Sequence, residues 1–274
     1  RMKMTYDFLE RNNGMCKVIA IVNQKGGVAK TTTTVNLGIG LVNEGKRVLL
    51  IDSDSQGSLS SCLGVAEPDE LDVTLPTIMS KIMNDEEFDN TWGVLKHEEG
   101  ISFLPCNIEL SGLEVSMVSM MRREFILSEY VEKVRDLYDF ILIDCNSSLG
   151  MMTMNALTTA DSIIIPIQAA YLSVKGLQQL ITTISKTKKY LNPDLGIEGI
   201  LFTMMDSRTN YAREIKQLVE NSYGKNVRVF DSVIPFSVRA SETSAEGVSI
   251  FKHDPKGKVA TAYKNLVKEV LNYE

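Results

Sequence analysis

Apolar runs and amphipathic stretches alternate along most of this chain. The apolar runs predict strands at residues 17–23, 47–52, 101–105, 140–144, 162–167 and 199–204, with a further short one near 231–234. Runs such as Ile141-Leu142-Ile143 and Ile163-Ile164-Ile165 fit strands buried on both faces. Helical spacing predicts helices at 31–44, 108–120, 125–137, 151–159, 174–191, 208–223 and 258–271, and a short one at 76–83. Such alternation implies an α/β fold, a doubly wound and mostly parallel sheet with helices on both faces. A ligand is expected at the carboxyl ends of its strands. Segment 64–100 is acidic and the least regular. Residues 1–14 are polar and read as an amino-terminal extension; 15–274 reads as one domain.

Composition narrows the class. The chain has 274 residues, 44% hydrophobic and 23% charged, which suits one large α/β domain. No apolar run approaches the ~20 residues needed to span a bilayer, and no secretory signal opens the chain. Cys16, Cys62, Cys106 and Cys145 form no C-x-x-C pair. They read as reduced thiols, three of them beside apolar runs, so a cytoplasmic location is expected. The net charge is −6. From Lys175 onward, however, 15 basic residues face 11 acidic ones, leaving 14 against 24 in the rest. The carboxyl-terminal part could therefore present a basic face to a polyanion, or carry a chance asymmetry of solvated charge.

The chemistry concentrates after the first strand, in Asn23-Gln24-Lys25-Gly26-Gly27-Val28-Ala29-Lys30-Thr31-Thr32. Strand, glycine-rich loop, Lys-Thr and helix is an arrangement that holds phosphates. Gly26 and Gly27 let backbone N–H groups approach an anion, Lys30 reaches the β- and γ-phosphates, and the Thr31 hydroxyl suits Mg²⁺. The general pattern G-x-x-x-x-G-K-[ST] is not met, because Gln24 and Ala29 stand at its glycine positions. The string instead resembles the deviant Walker A motif of the ParA/MinD family, K-G-G-x-G-K-[ST]. Its likeness is greatest to the short, Soj-type ParA partition ATPases. The resemblance implies ATP and Mg²⁺ as cofactors, held by Lys25, Gly26, Gly27, Val28, Ala29, Lys30, Thr31 and Thr32. It also implies that Lys25 crosses a dimer interface to the partner's phosphates. Ala29 replaces the family glycine and is expected to fit with a negative φ.

Two carboxylate sites extend the likeness. Asp52-Ser53-Asp54-Ser55-Gln56-Gly57 is similar to the family's D-x-D-P-Q-G switch. That implies Asp54 orients the attacking water and Asp52 acts near the metal; helix capping by this aspartate pair is the alternative. Phe140 to Asp144 fits a Walker B strand, with Asp144 expected to bind Mg²⁺ through water. Cys145-Asn146-Ser147-Ser148 replaces the family's C-P-P-S, and losing both prolines predicts a more flexible switch. By the same resemblance, Met204, Asp206, Pro235 and Val238 are expected near adenine, with a core role for Met204 as the alternative. Arg208, Arg213, Lys216, Arg239 and Lys252, with Lys256 and Lys258, are expected to face DNA. Phe236 stands where the family has an arginine.

The function implied is an ATP-dependent, dimerising DNA-segregation ATPase with slow turnover. It would bind non-specific DNA when loaded with ATP, associate with the nucleoid, and be stimulated by a ParB-like adaptor. The 14-residue extension is too short for the helix-turn-helix domain of longer members. Three alternatives compete. One is a MinD-like membrane-positioning ATPase, although the tail from Lys264 to Glu274 has few cations and reads as a packing helix. Another is an iron-protein reductase, although Cys106 and Cys145 lack matching context. The third is an ATPase that positions other cargo, such as a polysaccharide or conjugation apparatus.

Overall fold

Along the first strand, Val18, Ala20 and Val22 pack to one side and Ile19 and Ile21 to the other. The same parity recurs at Leu49 and Ile51 against Val48 and Leu50, and at Ile141 and Ile143 against Phe140 and Leu142. Side chains alternate across a strand, so two buried faces require a helical layer on each side. The computed structural model, which describes residues 16–272, has that form. The expected extension at 1–14 lies outside the described residues.

The elements run β1 (Lys17–Ile21), α1 (Lys30–Asn43), β2 (Val48–Ser53), α2 (Ser58–Cys62), α3 (Leu75–Met83), β3 (Leu95–Lys96) and β4 (Ser102–Leu104). Next come α4 (Glu109–Met117), α5 (Ile126–Val134), β5 (Phe140–Cys145), α6 (Met151–Thr159), β6 (Ser162–Ile167) and α7 (Tyr171–Tyr190). The chain continues through β7 (Gly196–Met205), α8 (Asn210–Tyr223), β8 (Val229–Pro235), α9 (Val238–Glu246), α10 (Ile250–His253) and α11 (Lys258–Leu271). The strands form one sheet in the order β3-β4-β2-β5-β1-β6-β7-β8. Every pairing is parallel except that of β3 with β4. Helices α3 to α8 bury their apolar residues on one face. Helices α1, α2, α10 and α11 cover the other.

The chain order reverses at β1, between β5 and β6, which places the loop after β1 at the switch point of the sheet. Helix α1 lies close against its neighbours because it carries two glycines on its buried side. A Cβ on Gly40 would come within 2.5 Å of Val267 on α11, and one on Gly38 within 2.7 Å of Leu50 on β2. Helix α11 buries Val259, Tyr263, Leu266, Val267 and Val270, in line with a packing tail.

Several boundaries differ from the sequence pattern for local reasons. Helix α8 starts at Asn210 rather than 208, because the Thr209 side chain caps it by accepting from Ala212 N. Helix α4 stops at Met117, and 3-10 turns flank α5. Strand β3, at two residues, is too short to show a period. Helices α2, α9 and α10 are short or polar, and their apolar spacing is weak.

Candidate functional site

The loop after β1 is shaped by its neighbours. Asn23 Nδ2 donates to Pro166 O at 2.7 Å, while Asn23 Oδ1 accepts from Lys25 N at 2.9 Å. Gln168 Nε2 donates to Gly27 O at 3.0 Å, and the Thr203 hydroxyl lies 3.0 Å from Val28 O. Side chains just beyond β1 and β6 and one within β7 thus fix the loop through the Lys25 N–H and the Gly27 and Val28 carbonyls. Gly27 has φ +67°. Ala29 has φ +62° and ψ +37°, so the expectation of a negative φ is overturned. The chain turns through the left-handed region there to start α1, as a glycine would do without strain.

Lys30 opens α1 and is buried. Its Nζ donates to Ser147 Oγ at 2.8 Å and to Lys25 O at 3.4 Å. Burial holds its pKa below the usual lysine value. Thr31 Oγ1 donates to Asp144 Oδ2 at 2.7 Å, and Thr34 Oγ1 lies 3.1 Å from Asp144 Oδ1. Lys25 is half-buried at the rim. Its Nζ reaches Gln168 Oε1 at 3.5 Å and Ser173 Oγ at 3.4 Å, both long contacts within its own chain.

Parallel register sets Asp52 directly beside Asp144 at the carboxyl ends of β2 and β5. Both are buried. Loss of water raises Asp52 to about 6. Asp144 rises to about 7, through burial first and the Asp52 charge second. Asp52 Oδ2 accepts from Ser60 N at 2.9 Å and Ser60 Oγ at 2.7 Å. Ser60 is the third residue of α2, so Asp52 also serves the capping role posed as the alternative. Asp54 N donates to Asp52 Oδ1, and Asp54 Oδ1 accepts from Gln56 N.

This oxygen set fits a hard divalent cation. Among the described residues no three His, Cys, Asp or Glu side chains converge on one metal position. Two abutting buried carboxylates and a hydroxyl leave coordination positions for phosphate and water, which is how magnesium is commonly held. The four cysteines are free; Cys16, Cys106 and Cys145 are buried, and burial raises their thiol pKa values.

In the switch after β5, where the prolines are missing, a side chain organises the turn. Asn146 Oδ1 accepts from Ser148 N, Ser148 Oγ and Thr153 Oγ1, each at 3.1 Å.

A cleft of about 600 Å³ is lined by Met204, Asp206, Arg208, Pro235, Phe236 and Lys258. A smaller one of about 260 Å³ joins Ala29 and Thr32 to Met204, Pro235 and Phe236. Three of the four expected adenine residues therefore meet. Val238 does not line either cleft; it is 63% exposed on the first turn of α9. Met204 is half-buried at the cleft wall with φ +49°, so it is not a core residue.

The expected DNA-facing cations differ in their freedom. Arg208 is almost fully exposed but held by Asp206 through two 2.8 Å bonds. Arg213 reaches Asn210, Lys216 lies 3.7 Å from Glu220, and Lys252 is paired with Glu98. Arg239 is exposed on α9 and makes no ion pair among the described residues. The supports Ser60, Ser147, Gln168 and Thr203 were missed by sequence reasoning. Gln168 and Ser147 share one signal, a polar side chain just beyond the end of an apolar strand; Thr203 lies within β7 and Ser60 within α2, without such a signal.

The family model described as an AAA domain matches residues 16–197. The sporulation initiation inhibitor protein Soj of Bacillus subtilis is 42% identical over 258 residues, covering 93% of this chain and 98% of that protein. The chromosome partitioning protein ParA of Myxococcus xanthus is 40% identical over 258 residues, covering 93% and 88%. The chain belongs to the ParA/MinD family, close to its Soj-type members. Among solved structures, a Mycobacterium smegmatis protein described as cobyrinic acid a,c-diamide synthase, with bound ATP analogue and magnesium, superposes with TM-score 0.83. It is 35% identical, with 94% and 95% of the two chains covered. The doubly wound sheet and the loop at its switch point are thus those of ParA/MinD-type P-loop proteins. No helix among the described residues is long and apolar enough to cross a membrane.

Proposed function

We propose that this chain is an ATP-driven partition ATPase of the Soj type, acting in the cytoplasm on the nucleoid. One observation carries the reading: Lys30, Thr31, Asp144 and Asp52 converge beneath a glycine loop fixed at the switch point. In this reading the loop N–H groups of Gly26 to Thr32, with the start of α1, hold the phosphates of ATP. Lys30 moves from Ser147 to the outer phosphates. Thr31, Asp52 and Asp144 hold Mg²⁺, which supplies positive charge against the phosphoryl oxygens. Asp54 positions the attacking water. Charge neutralisation and placement suffice for this chemistry, and turnover is slow.

Lys25 links hydrolysis to assembly. Its contacts to Gln168 and Ser173 are long and weak, so an ammonium at the rim is released at little cost to a second copy's terminal phosphate. ATP then closes a homodimer that binds DNA without sequence preference. A ParB-like adaptor speeds hydrolysis and resets it.

The test is DNA binding with ATP, ADP or no nucleotide over a salt series, for the native chain and Lys25→Ala. The reading expects ATP-dependent binding that weakens steeply with salt and is lost in the variant. Binding indifferent to nucleotide rejects it.

A further inference from the structure

Among the described residues Ser147 makes one side-chain hydrogen bond, and it is to the most buried cation of the site. Its Oγ accepts from Lys30 Nζ at 2.8 Å. A hydroxyl that accepts from an ammonium keeps its own proton to donate. That proton has no acceptor among the described residues, and Ser147 is exposed on the switch after β5. The hydroxyl also stands over the glycine loop: a Cβ built on Gly26 would lie 3.6 Å from Ser147 Oγ.

Position along the loop matters as much as proximity. Ala29 and Thr32 line the cleft that leads to Met204, Pro235 and Phe236. Gly26, Lys30 Nζ and Ser147 group together instead, and none of them lines that cleft. A nucleotide seated base-first in the cleft runs its phosphates from Thr32 toward Gly26. Its last phosphate then arrives where Lys30 and Ser147 meet.

We propose that Ser147 is a specificity-determining residue whose hydroxyl donates to the terminal phosphate of a bound nucleoside triphosphate, separating tri- from diphosphate. The proposal rests on the ATPase reading above. Serine stands where the family pattern C-P-P-S has its second proline, and a proline side chain has no proton to give. The bond to an anion is charge-assisted, stronger than one between neutral groups. In the unliganded chain the same hydroxyl holds Lys30 in place.

The experiment is titration calorimetry with a non-hydrolysable ATP analogue and with ADP, each with magnesium, on the native chain, Ser147→Ala and Ser147→Thr. Ser147→Ala is expected to bind the triphosphate about tenfold more weakly and ADP unchanged. Ser147→Thr keeps the hydroxyl and is expected to restore most of the difference. Equal weakening toward both nucleotides, or none toward either, overturns the proposal. Failure of the native chain to bind either nucleotide overturns the ATPase reading instead. Both variants are expected to fold, Ser147→Ala melting somewhat lower without nucleotide because buried Lys30 loses its one short hydrogen bond, and Ser147→Thr melting close to the native chain.

Discussion

Two residues at the phosphate loop are held in conformations or charge states that cost stability. Ala29 sits at φ +62° where its Cβ crowds the backbone. Ala29→Gly is therefore expected to raise unfolding free energy by about 1 kcal/mol, despite glycine's larger entropy loss. Urea denaturation of the two proteins checks this, and no gain would mean that the loop relaxes the strain elsewhere. Asp144 costs more as pH rises. Its carboxyl is raised in the folded chain, so the native state binds a proton more tightly than the unfolded state does. Stability from this group is full below the unfolded value of about 4 and is lost as pH climbs through about 7. Without nucleotide or magnesium, Asp144→Asn should be more stable than the native chain at pH 8, by roughly 1–2 kcal/mol. The gap should narrow by pH 5 and close only below about pH 4. Parallel denaturation curves at the two pH values decide it.

Elements place those residues, and α1 does so by touching its neighbours without side chains between. Gly40 faces Val267 on α11, with the Phe251 ring of α10 beside it. Gly40→Val should overpack that contact and destabilise by about 2 kcal/mol, read by thermal unfolding. It should also weaken nucleotide binding, because α1 begins at Lys30. Much of this level was legible in the sequence. Runs such as 141–143 and 163–165 announce strands by continuous apolar character, and the Lys-Thr pair marks the start of α1. Strand β3 was not legible, since two residues have no period. Helix α9 was hidden for another reason: Arg239, Ser241, Glu242, Ser244 and Glu246 give it little apolar face, and its position depends on tertiary contacts. At the site, the motif residues could be read because their chemistry is bound to their order. Gln168 and Thr203 could not, because each reaches the loop from a distant stretch of chain, and Ser60 could not, because its bond to Asp52 depends on how the turn after β2 folds back. The left-handed turn at Ala29 also escaped, since alanine carries no sign of the conformation its neighbours impose.

At the scale of the whole molecule, the expected DNA surface is uneven. Lys252 is already balanced by Glu98, whereas Arg239 makes no ion pair among the described residues. In the ATP-loaded state, Arg239→Ala should weaken DNA binding severalfold and reduce the salt slope by about one unit. Lys252→Ala should change both little. Salt titrations by fluorescence anisotropy rank the two, and the reverse order would remove α9 from the DNA face.

The strand register has a broader outcome. At the point where most buried α/β sheets set aliphatic neighbours, β2 and β5 set two acids shoulder to shoulder. The middle of this molecule is thus least cohesive when empty and becomes firm on loading. Resistance to proteolysis should then follow the supply of magnesium-bound nucleotide, even where no hydrolysis takes place.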